Sequence, residues 1–225
     1  MTRIAVLASG GGSNLKAILE YLVSLGPAAP GQVVLIASER RQSGAIAKGL
    51  ANAIDTVVLG DATDPNSHEL EALLAAYKID LVVLAGYLRL VPAAVVDRYT
   101  DRIVNIHPSL LPAFGGPGMY GSRVHQAVID AHETISGATV HLVSREYDRG
   151  LILAQWPVPV LRTDSAAALA ERILTVEHAL YPRIVAALAA GRRDRFPLKP
   201  APAYFANPPI SAAAIAGQID ALLAN

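Results

Sequence analysis

The sequence predicts an α/β fold with a doubly wound, mostly parallel sheet flanked by helices and an antiparallel strand late in the chain. Short apolar runs alternate with segments in which apolar residues recur at helical spacing, a pattern typical of βα units. The run Leu81–Ala85 is apolar throughout, as parallel strands buried on both faces are. A glycine-rich turn joins the first strand to the first helix.

The repeating units fill the first half of the chain, with each apolar run followed by a helical segment. Strands are predicted at Ile4–Ala8, Val33–Ala37, Val57–Leu59 and Leu81–Ala85, and helices at Asn14–Leu25, Gly44–Ala53, Glu69–Tyr77 and Pro92–Arg98.

The second half is less regular, and it contains a loop, Pro108–Gly121, with three prolines and four glycines. Pro182 predicts a kink or break in a long helix. Strands are predicted at Ile103–Ile106, Ala138–Ser144 and Leu151–Leu161, helices at Val124–Ala131, Ser165–Ala190 and Ala212–Leu223, and extended chain at Phe196–Pro209. We expect one catalytic unit over residues 1–195, and a proline-rich tail with a final helix over 196–225.

The composition argues for a cytoplasmic globular protein that binds neither nucleic acid nor membrane. Apolar residues make up 52% of the chain, which suits a packed core. With 19 basic and 19 acidic side chains, no net field attracts a polyanion. The lack of cysteine excludes disulfides and thiolate metal sites, and the apolar stretch before Gly10 is too short for a signal peptide.

The glycine-rich turn Ser9–Asn14 precedes a predicted helix, where backbone N–H groups and the helix dipole favour a phosphate. Leu15 occupies the place of the third glycine of a dinucleotide fingerprint, and no Gly-Lys-Ser/Thr sequence follows. The alternative is an ordinary tight turn in which Ser13 or Asn14 caps the helix.

A polar pair ends a strand that is otherwise apolar. Asn105 and His107 are two residues apart, so both side chains lie on one face at the carboxyl end of the strand, where α/β sheets bind ligands. An asparagine amide can donate to an oxyanion, and a histidine can carry a proton. Asp148, in a later turn, would raise the pKa of His107 if it folded against it. The alternatives are a structural histidine and a simple turn aspartate.

The motif around this pair resembles the folate-dependent formyltransferases, and its Ile-His-Pro form is similar to the branch that acts on glycinamide ribonucleotide. The resemblance extends over nearly the whole chain in ordered segments. They are Ala8–Leu15, Leu84–Leu90, Asn105–Pro112, Gly118–Gly121, Ser136–His141 and Glu177–Pro182.

The resemblance implies transfer of a formyl group from 10-formyltetrahydrofolate, as co-substrate, to the amine of 5'-phosphoribosylglycinamide, giving N-formylglycinamide ribonucleotide in de novo purine biosynthesis. It implies no metal, a phosphate-binding N-terminal half, a folate-binding C-terminal half, and a homodimer. The implied catalytic residues are Asn105, His107 and Asp148. The implied substrate contacts are Gly12, Ser13 and Asn14 for phosphate and Glu177 for ribose; those for the pterin are Leu88, Arg89, Leu90, Val91 and Asn105. His141 is expected near the site or in the core.

Three departures from the family pattern stand in the sequence. No Arg or Lys lies between Asp61 and Glu69, where the family often has a basic residue for the folate; Leu151 replaces a usual proline; and the loop with Gly115–Gly118 is longer than in some members.

Three rival activities remain. A methionyl-tRNA formyltransferase would need a further basic domain, which is absent before Asn225. An amino-sugar-nucleotide formyltransferase usually lacks the Glu177–Pro182 segment. A noncatalytic phosphate- or nucleotide-binding module would need the turn alone.

Overall fold

One seven-stranded sheet forms the centre of the computed structural model, which describes residues 1–60, 68–198 and 211–224. The strand order is β3-β2-β1-β4-β5-β6-β7. β1 to β5 run parallel, while β6 pairs antiparallel with both β5 and β7. The predicted fold class is therefore confirmed. The strands are β1 Thr2–Leu7, β2 Gly31–Ser38, β3 Asp55–Val58, β4 Leu81–Leu84, β5 Ile103–His107, β6 Ile135–Leu142 and β7 Ile152–Pro159.

Helices cover both faces of the sheet because alternate residues of the strands point to opposite sides. In β1, Ile4 packs in the same core cluster as Leu15 of α1, whereas Leu7 packs in the cluster that contains Leu74 of α3. α5, α6 and α7 share the α1 face, and α4 shares the α3 face. The helices are α1 Ser13–Ser24, α2 Gly44–Ala51, α3 His68–Ala76, α4 Ala93–Arg98, α5 Ser122–Asp130, α6 Ala166–Ala189 and α7 Ala212–Ala224.

Two predictions for the second half need correction. The break at Pro182 does not occur, and α6 runs through it. Interior proline costs a helix about 3 kcal/mol; here buried side chains on both sides of it, such as Leu180 and Ile184, hold the helix against the sheet. β6 begins at Ile135, earlier than predicted, because Ile135 pairs with Pro159 of β7. The predicted extended segment Phe196–Pro209 lies largely outside the described residues.

The fold opens a crevice at the carboxyl edge of the sheet, between β1 and β4. These neighbouring strands lead to α1 and α4 on opposite faces, which is the arrangement that leaves a ligand crevice in α/β sheets. The Tyr181 hydroxyl lies 2.8 Å from the Leu84 carbonyl and 2.9 Å from the Val104 carbonyl, so it joins the ends of β4 and β5 beside this crevice. Among the helices of residues 1–60, 68–198 and 211–224, none combines the length and the hydropathy of a membrane-spanning segment.

Candidate active site

A cavity of about 520 Å³ occupies the carboxyl edge of the sheet. It collects most of the residues predicted to form the site, although they come from five separate segments of the chain. Gly12 and Ser13 are not among its lining residues, and they precede Asn14 in the glycine turn. The predicted residues that line it are Asn14, Leu88, Arg89, Leu90, Val91, Asn105, His107, Asp148 and Glu177.

The glycine turn meets the cavity at the start of α1. Gly12 is the N-cap residue of α1, with a left-handed φ of 72°, and no side chain caps the helix. The alternative in which Ser13 or Asn14 caps α1 is therefore wrong. A Cβ at Gly12 would also lie 3.1 Å from Ala45 Cα, so both conformation and space favour glycine. The first turn of α1 keeps its N–H groups free of side-chain caps, as an anion site requires.

Asn14 and Glu177 meet in the wall of the cavity. The Asn14 amide donates to Glu177 Oε2 over 2.7 Å, and Asn14 Oδ1 is buried without a hydrogen-bond partner among the described residues. Burial raises the pKa of Glu177 to about 7, against the smaller opposing effect of the Asn14 hydrogen bond. Buried acceptors without donors are costly, so this pair is suited to a ligand that brings hydroxyl groups.

Asn105 faces His141 across two strands. The two residues are directly paired in the antiparallel β5–β6 ladder, which brings their side chains to one face. Asn105 Nδ2 lies 3.1 Å from His141 Nε2. His141 Nδ1 lies 2.8 Å from the Leu142 carbonyl, an acceptor only, so Nδ1 carries a hydrogen. His141 lines the cavity beside Asn105 and is also buried, so its place in the site stays a prediction.

His107 is held by the loop that follows β5. Its Nε2 donates to the Phe114 carbonyl over 2.8 Å, and its Nδ1 lies 3.6 Å from Asp148 Oδ2. At that distance there is no hydrogen bond, so the Nδ1 position remains available to a ligand oxygen, and the pair attracts electrostatically when His107 is protonated. Burial lowers the pKa of His107, while Asp148 and the Phe114 carbonyl act in the opposite direction. Asp148 thus has the predicted effect, but burial outweighs it.

Asp148 connects the two histidines. Its backbone has a left-handed φ of 55°, and its Oδ2 accepts the Gly116 N–H over 2.8 Å. Its Oδ1 lies 3.5 Å from His141 Nε2. Burial alone would raise the pKa of Asp148, but His141, His107 and the Gly116 N–H together hold that pKa below its ordinary value. The carboxylate is therefore charged at neutral pH.

The segment Leu88–Val91 forms another wall, beyond β4. The Leu88 N–H donates to Ser9 Oγ over 2.9 Å, so this backbone group is already engaged. The Arg89 guanidinium donates to the Gly60 carbonyl over 3.0 Å, and Leu90 is 45% exposed. Residues 61–67, where the family's basic folate contact is missing, lie outside the described residues.

Sequence reasoning missed several polar members of the cavity wall, among them Glu146, Glu171 and, on α5, His125. The helical spacing of this segment could not identify His125, because it does not distinguish a histidine buried in the core from one that lines a cavity. Among the described residues, no group of three or more His, Asp or Glu side chains is arranged to hold a metal ion.

Comparison with known proteins decides the family. The model of the family described as formyl transferase matches residues 2–185. The chain belongs to the formyl transferase family. The resemblance that the motifs predicted is therefore confirmed, and the cavity lies within the matched region.

Two relatives and one solved structure show what this formyl transferase chain is similar to. It is 41% identical over 197 residues to the chloroplastic phosphoribosylglycinamide formyltransferase of Arabidopsis thaliana, covering 84% of this chain and 66% of the plant protein, slightly less than two thirds of its length. It is 40% identical over 193 residues to phosphoribosylglycinamide formyltransferase of Mycobacterium tuberculosis, covering 83% and 85% of the two chains. The structure of glycinamide ribonucleotide transformylase 1 from Symbiobacterium toebii superposes with a TM-score of 0.78 and 37% identity, covering 85% and 89%.

Proposed function

We propose that this formyl transferase moves the formyl group of 10-formyltetrahydrofolate to the amine of 5'-phosphoribosylglycinamide, giving N-formylglycinamide ribonucleotide in de novo purine biosynthesis. One observation carries the proposal: a single cavity joins Asn105, His107 and Asp148 to the buried Asn14–Glu177 pair at the start of α1. The first three residues can stabilise the oxyanion that forms from a formyl carbonyl, and the second pair can bind a phosphorylated ribose. The names of the relatives support the same activity.

In the proposed reaction, the substrate amine attacks the formyl carbon and the carbonyl oxygen becomes an oxyanion. Asn105 Nδ2–H and the protonated form of His107, which is the minor form at neutral pH, stabilise this oxyanion, and the Asp148 carboxylate stabilises the imidazolium. The bond between the carbon and the folate nitrogen then breaks, the carbonyl re-forms, and the amine proton reaches the folate nitrogen through water held near Asp148. No covalent enzyme intermediate is needed, because the activated donor supplies the driving force and the cavity supplies proximity.

The two substrates take opposite walls in this proposal. The phosphate lies on the backbone N–H groups of Gly12, Ser13 and Asn14 at the N-terminus of α1. Glu177 accepts hydrogen bonds from the ribose hydroxyls, supported by its burial and its contact with Asn14. The pterin lies against Leu88, Arg89, Leu90 and Val91, with Asn105 reaching the formyl group.

One assay tests the activity. The purified protein is given 10-formyltetrahydrofolate with glycinamide ribonucleotide, initiator methionyl-tRNA or an amino sugar nucleotide, and release of tetrahydrofolate is followed. We expect turnover with glycinamide ribonucleotide alone. Turnover with the amino sugar nucleotide would replace the proposed substrate, and ligand binding without formyl transfer would indicate a noncatalytic phosphate- or nucleotide-binding module.

The wider expectations stay predictions. They are a cytoplasmic homodimer that works on small molecules without nucleic acid, and a catalytic unit over residues 1–195 with a tail over 196–225. The lack of cysteine fits a reducing compartment. Sedimentation velocity of the full chain would decide between monomer and dimer.

A further inference from the structure

His125 is a buried histidine in the cavity wall that the proposed reaction does not use. It lies in the first turn of α5, is 6% exposed, and lines the same cavity as His107 and Glu177. Its neighbours on α5 divide by environment: Val124 and Val128 are buried in the core, whereas Gln126 is exposed. The imidazole thus stands where an apolar side chain would be expected to pack.

The ring of His125 lacks a partner on its inner side. Nδ1 is buried and has no hydrogen-bond partner among the described residues. Leaving a buried donor or acceptor unpaired costs about 1–3 kcal/mol, and in protein structures a buried N–H without a partner is rarer than a buried acceptor without one. The ring is neutral at pH 7, because burial and then the charge of His107 lower the pKa of His125. We therefore assign its one N–H to Nε2, the nitrogen from which the ring can donate.

The other residues of the cavity wall indicate which ligand atom this donor can meet. Glu177, the proposed ribose contact, and His107, at the transfer centre, line the same cavity, and α5 packs against α6, which carries Glu177. Between the ribose and the amine, glycinamide ribonucleotide has one strong acceptor, the carbonyl oxygen of its amide. That carbonyl carbon bears the methylene group that holds the reactive amine.

We propose that His125 is a further substrate-binding residue, which donates from Nε2 to the amide carbonyl of glycinamide ribonucleotide and so aims the amine at the formyl carbon. The inference rests on the proposed function and names a contact within it. With its hydrogen on Nε2, His125 cannot accept the amine proton there, so it binds and orients the substrate without acting as the base. It also favours an amine carried next to a carbonyl over a plain alkyl amine.

Paired substitutions test this contact by steady-state kinetics. His125→Phe keeps a flat ring without a donor, and His125→Gln places an amide N–H near the position of Nε2. We expect His125→Phe to raise the KM for glycinamide ribonucleotide about tenfold, the equivalent of one lost hydrogen bond, with the KM for the folate unchanged. His125→Gln should restore the KM to within about threefold of the wild type, since it regains the donor. Gln126→Ala, on the exposed face of α5, is the matched control and should change neither value.

A measurement that needs no turnover accompanies the kinetics. Nitrogen-15 NMR of the wild-type protein should show His125 with its hydrogen on Nε2, and glycinamide ribonucleotide added without folate should shift that resonance. A hydrogen on Nδ1, or equal KM values for His125→Phe and wild type, would overturn the inference while leaving formyl transfer intact. If the wild type fails to transfer formyl to this substrate, the proposed function itself fails. The NMR result remains decisive if His125→Phe does not fold.

Discussion

The two ends of the cavity are built in different ways. At the turn end, where Asn14 and Glu177 line the cavity, the proposed phosphate ligands are the backbone N–H groups of Gly12–Asn14, which follow one another in the chain. At the transfer end, formed by Asn105, His107, His141 and Asp148, four side chains come from two strands and a distant loop. The conformation of one short segment is enough to build the proposed phosphate site, although Glu177 reaches the turn end from α6. The transfer end depends on the register of β5 and β6 and on the fold of the loop, so single substitutions should affect it more.

The two ends also treat a buried carboxyl group in opposite ways. Glu177 has a single strong donor, Asn14, and burial raises its pKa to about 7. Burial also acts to raise the pKa of Asp148, yet two histidines and the Gly116 N–H hold that pKa below its ordinary value. Asp148 therefore keeps a negative charge at the transfer end. Glu177, whose pKa lies near neutral pH, is a hydrogen-bond acceptor where the ribose hydroxyl groups are proposed to bind. This difference allows each end to be tested separately.

The largest effect is expected from Asp148→Asn at the transfer end. The amide cannot stabilise a charged His107, and we expect kcat to fall by about 10²–10⁴ while the KM for glycinamide ribonucleotide changes little. Stopped-assay kinetics at saturating substrates would measure both. Asp97→Asn, which removes an exposed carboxylate paired with Arg145, is the control and should leave kcat unchanged.

The same variant has a defined effect on proton binding. Asp148 favours the charged form of His107, so its loss should lower the pKa of His107 further. Because that pKa is already below its ordinary value, the protonated form is lost at lower pH in the variant. Histidine NMR titration of both proteins would show this. An unchanged pKa of His107 would mean that Asp148, 3.6 Å away, does not stabilise the charged imidazole.

The same contrast explains how much could be predicted from the sequence. The alternation of side chains along a strand, and the tendency of α/β sheets to bind ligands at the carboxyl ends of their strands, were enough to place Asn105 and His107 together. The approach of Asp148 could be stated only as a condition, because it depends on a loop with a left-handed residue. The bond between Asn14 and Glu177 joins positions 163 residues apart, which no local pattern reveals.

A moderate effect is expected from Glu177→Gln at the turn end. Glutamine loses one of the two acceptor oxygens, so the KM for glycinamide ribonucleotide should rise about tenfold with little change in kcat. The free energy of unfolding should depend on pH as well. Because the pKa of Glu177 is raised in the folded state, its contribution to the stability of the wild type is fully present below about pH 4.5 and is lost as the pH rises through about 7. Glu177→Gln should not show that loss in thermal melts.

Glu20→Gln provides the control for this pair of measurements, since Glu20 is exposed and paired with Lys16. We expect its melting temperature to follow that of the wild type between pH 5 and 8. If Glu177→Gln also follows the wild type, the buried carboxyl is not the source of the pH dependence.

The smallest effect is expected where the two ends are joined. Ser9 is 1% exposed, its N–H donates to the Gly86 carbonyl over 3.0 Å, and its hydroxyl accepts the Leu88 N–H over 2.9 Å. Ser9→Ala leaves the Leu88 N–H without an acceptor, which should lower the free energy of unfolding in denaturant melts by about 1–3 kcal/mol. Exposed Ser24→Ala should cost less than about 0.5 kcal/mol. Because Ser9 anchors the Leu88 segment to the glycine turn, its loss should raise the KM for both substrates by a similar small factor, whereas Glu177→Gln raises only one. A change in one KM alone would mean that the two ends are positioned independently.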